Sequence, residues 1–160
     1  MRDRYRWLGL AIGVALADQG AKHWIAGTFP LGAGETVLPF FNLVHILNSG
    51  AAFSFLANAG GWQRYVFIAL ALAVSGGLTV MLLNGVANRW EGWGYSLLLG
   101  GAVGNLVDRL VQGAVVDYLD FHASGWHWPA FNLADTAICL SALILVWGAL
   151  LSSAQSKAIP

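Results

Sequence analysis

The sequence predicts an all-α integral membrane protein with four transmembrane helices, plus a little β-structure and one short amphipathic helix outside the membrane. Three observations lead there. Hydrophobic residues make up 58% of the chain and charged residues only 10%, against roughly 25% charge in soluble domains. Four stretches reach the ~20 mostly apolar residues that a span requires. The basic residues are also spread unevenly over the segments joining those stretches. At 160 residues the chain reads as one membrane-embedded domain.

The first helix is expected over 7–26. Arg2, Arg4 and Arg6 precede it, so it resembles a cleavable signal peptide, but Asp18 and Lys22 interrupt the apolar run and no clean cleavage site follows. It therefore reads as a retained span. The connection 27–63 comes next. Its stretch 36–48 is rich in β-branched and aromatic residues, flanked by Gly and Pro, and predicts one or two short strands. Residues 51–59 predict a short amphipathic helix closed by Gly60 and Gly61. The second helix is expected over 65–84, inside a charge-free stretch, the third over 93–111 and the fourth over 134–152. All lack the period-two alternation of barrel strands. Arg2, Arg4 and Arg6, then Arg89, then Lys157 place both termini and the second connection in the cytoplasm. The connections 27–63 and 112–133, almost free of basic residues, then face outward.

Zero formal net charge gives no support for nucleic-acid binding or a polybasic surface tether. The eight tryptophans suit the hydrocarbon–water boundary. Cys139 is the only cysteine, so no intrachain disulfide forms; among Ile138, Leu140 and Leu143 it reads as a buried, inert residue.

Ionisable groups inside spans are costly, so each asks for a partner or a function. Asp18 and Lys22 lie four apart on one helical face and fit either a structural ion pair, a snorkelling lysine, or the organisation of a polar site. Gly101, Asn105 and Asp108 share one face of the third helix, with Gly104 nearby; the glycines allow close helix approach. Arg109 fits a phosphate or carboxylate clamp, or a snorkelling residue at a packing interface. Asp117 lies just past the third helix and Asp135 at the entry to the fourth, so both carboxylates return to the outer surface. Two adjacent carboxylates hold one proton between them. One then deprotonates a water while the other, protonated, hydrogen-bonds a scissile carbonyl. Asp135 alone reads equally as an N-cap. Asp120 competes with Asp117 for the role. Ser124 with His127 lacks a nucleophile-elbow pattern. His122 and His127 lack a third metal ligand, and His45 reads as structural. A small polytopic transporter or proton-relay subunit is the rival class; it would spread its polar groups through the membrane's depth.

These residues form an ordered series. Asp18-Gln-x-x-Lys22, Asn48-Ser-Gly-Ala-Ala-Phe53, Gly100-Gly-Ala-Val-Gly-Asn-Leu-Val-Asp-Arg109, Val115-Val-Asp117 and Phe131-Asn-Leu-Ala-Asp135 resemble the motifs of lipoprotein signal peptidase, also called signal peptidase II, across nearly the whole chain. Ser49 and Ser54 depart from commoner residues there. The resemblance implies a multi-pass aspartyl endopeptidase of the bacterial inner membrane. Its substrates would be diacylglyceryl-modified prolipoproteins, cut on the amino side of the lipidated cysteine. It implies Asp117 and Asp135 as the catalytic pair, with Asn48, Gly101, Asn105, Asp108, Arg109, Asn132, Asp18 and Lys22 around them. It further implies no metal or organic cofactor, an outward β-cradle with segment 51–59 as a mobile cover, a monomer, and sensitivity to globomycin-type peptides.

Overall fold

The computed structural model describes residues 2–50 and 60–157. Four helices, α1 (Arg2–Thr28), α2 (Gln63–Asn84), α3 (Arg89–Val111) and α4 (Leu133–Lys157), alternate with strands β1 (Gly34–Leu38), β2 (Phe41–Asn48), β3 (Val115–Ala123) and β4 (Trp126–His127). Helix α3 is central and packs on α1, α2 and α4. Its glycines explain why. A Cβ on Gly101 would lie 2.5 Å from the Ala134 carbonyl on α4, and one on Gly104 would lie 2.5 Å from the Asp18 carboxylate on α1. Only hydrogen fits at those two contacts, so α3 lies directly against the α4 backbone at one and the Asp18 side chain of α1 at the other.

Local chemistry sets the helix ends. Asn88 caps α3, accepting from the Trp90 and Glu91 amides at 2.9 and 3.1 Å, while Glu91 reaches back to the Ala87 amide at 2.9 Å. This reciprocal cap starts α3 four residues earlier than its apolar run. Gly85, at φ +99°, ends α2. Helices α2 and α4 are long and apolar enough to cross a membrane, with mean hydropathies of 2.4 and 2.0. Their surfaces are not core-like: Leu70 is 58% exposed and Leu143 68%. In water such faces would be unstable; against lipid they are ordinary.

The strands form one antiparallel sheet in the order β1-β2-β3-β4. Strands β1 and β2 fall in the stretch predicted to be extended. Strand β3 was not foreseen, because 112–133 carries no alternation to read: Val115 to Tyr118 are all buried, and a strand covered on both faces loses its period of two. Ile25 on α1 packs against Val116 and Tyr118 of β3, which fixes the sheet to the bundle end. The predicted helix over 51–59 lies outside the described residues. Cys139, expected to be buried, is exposed. An apolar run marks a core in a soluble protein, but here it marks the surface that lipid covers.

Candidate active site

The α4 N-terminus is the organising feature. A helix leaves its first amides without internal partners, and here three side chains, from β3, α1 and the residue before α4, supply them. The Leu133 amide donates to the Tyr118 hydroxyl at 3.2 Å, Ala134 to Asp18 Oδ1 at 2.9 Å, and Asp135 to Asn132 Oδ1 at 2.9 Å. The capping residue is thus Asn132. Asp135 stands on the first turn with its carboxylate left for other contacts, so the N-cap reading of Asp135 fails. Only the spacing of three residues between Asn132 and Asp135 could have shown this.

Asn132 also donates through Nδ2 to Asp117 Oδ1 at 2.7 Å. One amide side chain therefore ties β3 to α4 through both aspartates. Asn48, the diagonal neighbour of Asp117 across the β2–β3 ladder, donates to Asp117 Oδ2 at 3.0 Å. Asn105 donates to Asp135 Oδ1 at 2.8 Å. Burial raises the Asp117 pKa, and the adjacent Asp135 carboxylate raises it further, to about 7; the bonds from Asn48 and Asn132 and the charge of Lys22 oppose this only in part.

Lys22 supports the pair from α1. Its Nζ lies 2.7 Å from Asp18, 2.8 Å from Asp108 and 2.9 Å from Asn105 Oδ1, and the residue is 2% exposed. The snorkelling reading fails, because the ammonium satisfies two buried carboxylates and orients the amide that holds Asp135. Asp108 in turn accepts from the Val116 amide at 3.1 Å and from Gln19 at 2.7 Å. Gln19 and Tyr118 were not singled out as site residues. Gln19 sat inside the Asp18–Lys22 motif, and its polarity beside Asp18 was the available signal.

Arg109 is 9% exposed and does not snorkel; each of its terminal nitrogens makes one bond within the protein. They donate to the Gly50 carbonyl at 2.9 Å and the Asn105 carbonyl at 3.3 Å, and the guanidinium lies 5.1 Å from the Phe67 ring centroid. It tethers the chain just after Asn48 to α3. Asp120 belongs elsewhere: it accepts from Asn42 at 2.7 Å and His127 at 2.8 Å. Burial opposes its ionisation, but those bonds outweigh burial and hold its pKa below the ordinary carboxylate range. His127 is thereby a partner of Asp120 and no base for Ser124, and His45 is structural, bonded to the Phe29 carbonyl at 2.8 Å.

Beside Asp135 a mostly apolar cavity of about 310 Å³ is lined by Asn48, Trp128, Phe131, Cys139 and Leu143. It joins the carboxylate to the exposed flank of α4. The arrangement suits an extended apolar chain whose polar backbone meets the aspartates.

Comparison with known proteins places the chain in a family. The family model for signal peptidase (SPase) II matches residues 10–151. The lipoprotein signal peptidase of Yersinia enterocolitica is 44% identical over 155 residues, spanning 96% of this chain and 92% of that protein. The enzyme of Yersinia pestis is 46% identical over the same shares. Among solved structures, a bacterial membrane enzyme determined by the in meso method at 2.3 Å superposes with a TM-score of 0.83 at 29% identity, over 97% of this chain and 93% of the other. A second, at 1.9 Å, gives 0.76 at 28% identity over 91% and 92%.

Proposed function

The chain belongs to the signal peptidase II family, membrane peptidases that remove signal peptides from prolipoproteins, and on that premise we propose that Asp117 and Asp135 perform the hydrolysis. The observation that carries this assignment is the double role of Asn132, which holds Asp117 by its amide nitrogen and the Asp135 backbone by its amide oxygen. The pair shares one proton. The ionised carboxylate removes a proton from water, and the protonated one hydrogen-bonds the scissile carbonyl as charge develops there. Collapse of the tetrahedral adduct returns a proton to the leaving amine. Asn48, Asn105 and Asn132 fix the carboxylates, Asp18, Lys22 and Asp108 fix the amides, Arg109 tethers the loop after Asn48, and Gly101 lets α4 close on α3. No metal or organic cofactor enters this scheme.

The substrate is a diacylglyceryl-modified prolipoprotein, cut on the amino side of its lipidated cysteine. Its signal peptide reaches the aspartates through the cavity along α4, and a globomycin-type peptide would block the same space. All four helices span the bacterial inner membrane. Their lengths support this: α1 and α3, of 27 and 23 residues, reach ~40 and ~35 Å at 1.5 Å per residue, and their polar groups face one another. The basic residues favour cytoplasmic termini and a periplasmic sheet, and the chain acts as a monomer.

The test is cleavage of a diacylglyceryl-modified precursor by the purified protein in detergent, read as a globomycin-sensitive gel shift. Failure of cleavage, or cleavage that survives replacement of both Asp117 and Asp135 by Asn, would remove the assignment.

A further inference from the structure

We propose that the cleft between α1 and α2 binds one acidic glycerophospholipid from the leaflet opposite the dyad. This inference rests on the helices being membrane-embedded and is independent of which residues cut peptides.

The headgroup end is a cavity of about 360 Å³ lined by Arg4, Arg6 and Trp7 of α1, Val86 and Asn88 of the α2–α3 turn, and Arg89 of α3. Three guanidinium groups thus edge one space. Arg89 lies 4.7 Å from the centroid of Trp90, which holds its planar fork in place for phosphate oxygens, and Arg6 lies 4.5 Å from that of Trp7. The acceptors at this rim are already engaged. Asn88 Oδ1 takes the Trp90 and Glu91 amides, and the Glu91 carboxylate takes the Ala87 amide and the Asn88 side chain. Among the described residues no carboxylate lies within ion-pair distance of Arg4 or Arg89. Trp7, 6% exposed, forms the inner wall of this space.

A second, separate hollow of about 400 Å³ lies along α1 from Leu8 past Ile12, Ala15 and Leu16, walled by Thr79 of α2 and Val103 of α3. Leu8 follows Trp7 directly, and Thr79 stands one turn before Leu82 of the headgroup cavity. The Thr79 hydroxyl is bonded to the Ser75 carbonyl of its own helix at 2.7 Å, so this wall presents hydrocarbon. From Leu8 to Gln19 at its far end the groove runs ~16 Å along α1, about half a hydrocarbon core of ~30 Å and thus one leaflet's acyl chain. Position agrees as well. Arg89 and Asp108 are nineteen residues apart on α3, or ~28 Å, so the basic cavity reaches phosphate depth on one face when the aspartates reach it on the other. Free phosphate would use the arginines but not the groove. A phospholipid uses both, and one of net negative charge uses the arginines best.

The experiment is native mass spectrometry of the full-length protein, released from detergent after equilibration with equal amounts of dioleoyl-phosphatidylglycerol and dioleoyl-phosphatidylcholine. Wild type should retain one phosphatidylglycerol in preference to phosphatidylcholine. Affinity for it should fall about fivefold for each arginine removed in Arg4→Gln and the Arg4→Gln/Arg89→Gln double variant, until the two lipids are held alike. Ala15→Phe, which fills the groove and keeps every charge, should lower retention of both lipids. Were the double variant to misfold, a salt titration of wild type serves instead, with the preference collapsing as salt rises. Equal retention of the two lipids by wild type overturns the proposal. So does a double variant that keeps the preference, or displacement of the lipid by glycerol phosphate at equal concentration, which would mark a free-phosphate site. Precursor cleavage measured on the same samples keeps this outcome separate from the peptidase assignment.

Discussion

Asp117 and Asp120 lie on one strand, three residues apart, and their surroundings drive them in opposite directions. Asp117 faces the helices, is 2% exposed, and has a second carboxylate as its neighbour; its pKa rises to about 7. Asp120 faces the far side of the sheet, where Asn42 and a histidine hold it ionised. An odd spacing on a strand sends two side chains to opposite faces. The difference teaches that a carboxyl suited to sharing a proton is made by what it faces, and that sequence proximity says little about it.

The largest expected effect breaks the comparison outright. Asp117→Asn and Asp135→Asn should each lower kcat/KM by roughly a thousandfold, with helix content by circular dichroism unchanged. Asp120→Asn should leave it within a factor of a few. The reverse ranking in a precursor-cleavage assay would move the chemistry to the outer face of β3.

The second effect is on folding. Lys22 lies against Asp18 and Asp108, all three nearly inaccessible. Lys22→Met strands two buried carboxylates and should destabilise the protein by about 3–5 kcal/mol, read by thermal unfolding in detergent. Lys22→Arg should recover less than half of that loss, since a planar fork does not reproduce three converging bonds. A Met variant as stable as wild type would mean that water enters the cluster.

How far these contrasts were legible in the sequence depends on whether the signal was local. The helices, the paired strands in 36–48 and the aspartate motifs came from runs and spacings within one segment. Of what α4 needs at its N-terminus, Asn132 adjoins the helix, but Tyr118 and Asp18 come from β3 and α1, and no window of sequence contains all three. Strand β3 escaped notice because burial on both faces erases alternation. Cys139 was placed inside because apolar neighbours indicate a core only when the solvent is water. Arg109 read as either a ligand clamp or a snorkelling residue, since the sequence does not reveal that Gly50 and Asn105 present carbonyls to it.

A third prediction sharpens the contrast through pH. The Asp117 pKa is raised, so the pair keeps its shared proton up to about 7 and loses it above. The cleavage rate should therefore fall on the alkaline side through about pH 7, approaching tenfold per unit where chemistry limits, and should fall again in acid when the second carboxyl protonates. Asp120 titrates below the ordinary range and should leave no mark on the profile. A rate flat from acid to well above neutral would contradict the shared proton.

The smallest effect tests the outer half of β3 directly. His127 is 54% exposed at its side chain, so its pair with Asp120, although short at 2.8 Å, is screened by solvent. His127→Ala should cost about 0.2–1 kcal/mol, because Asp120 keeps the 2.7 Å bond from Asn42 and stays ionised without help. Cleavage should be unaffected within error. If instead His127→Ala slowed cleavage as much as a change at Asn48 or Asn132, the outer face would be coupled to the inner one through the strand, and the two aspartates could no longer be treated as separate.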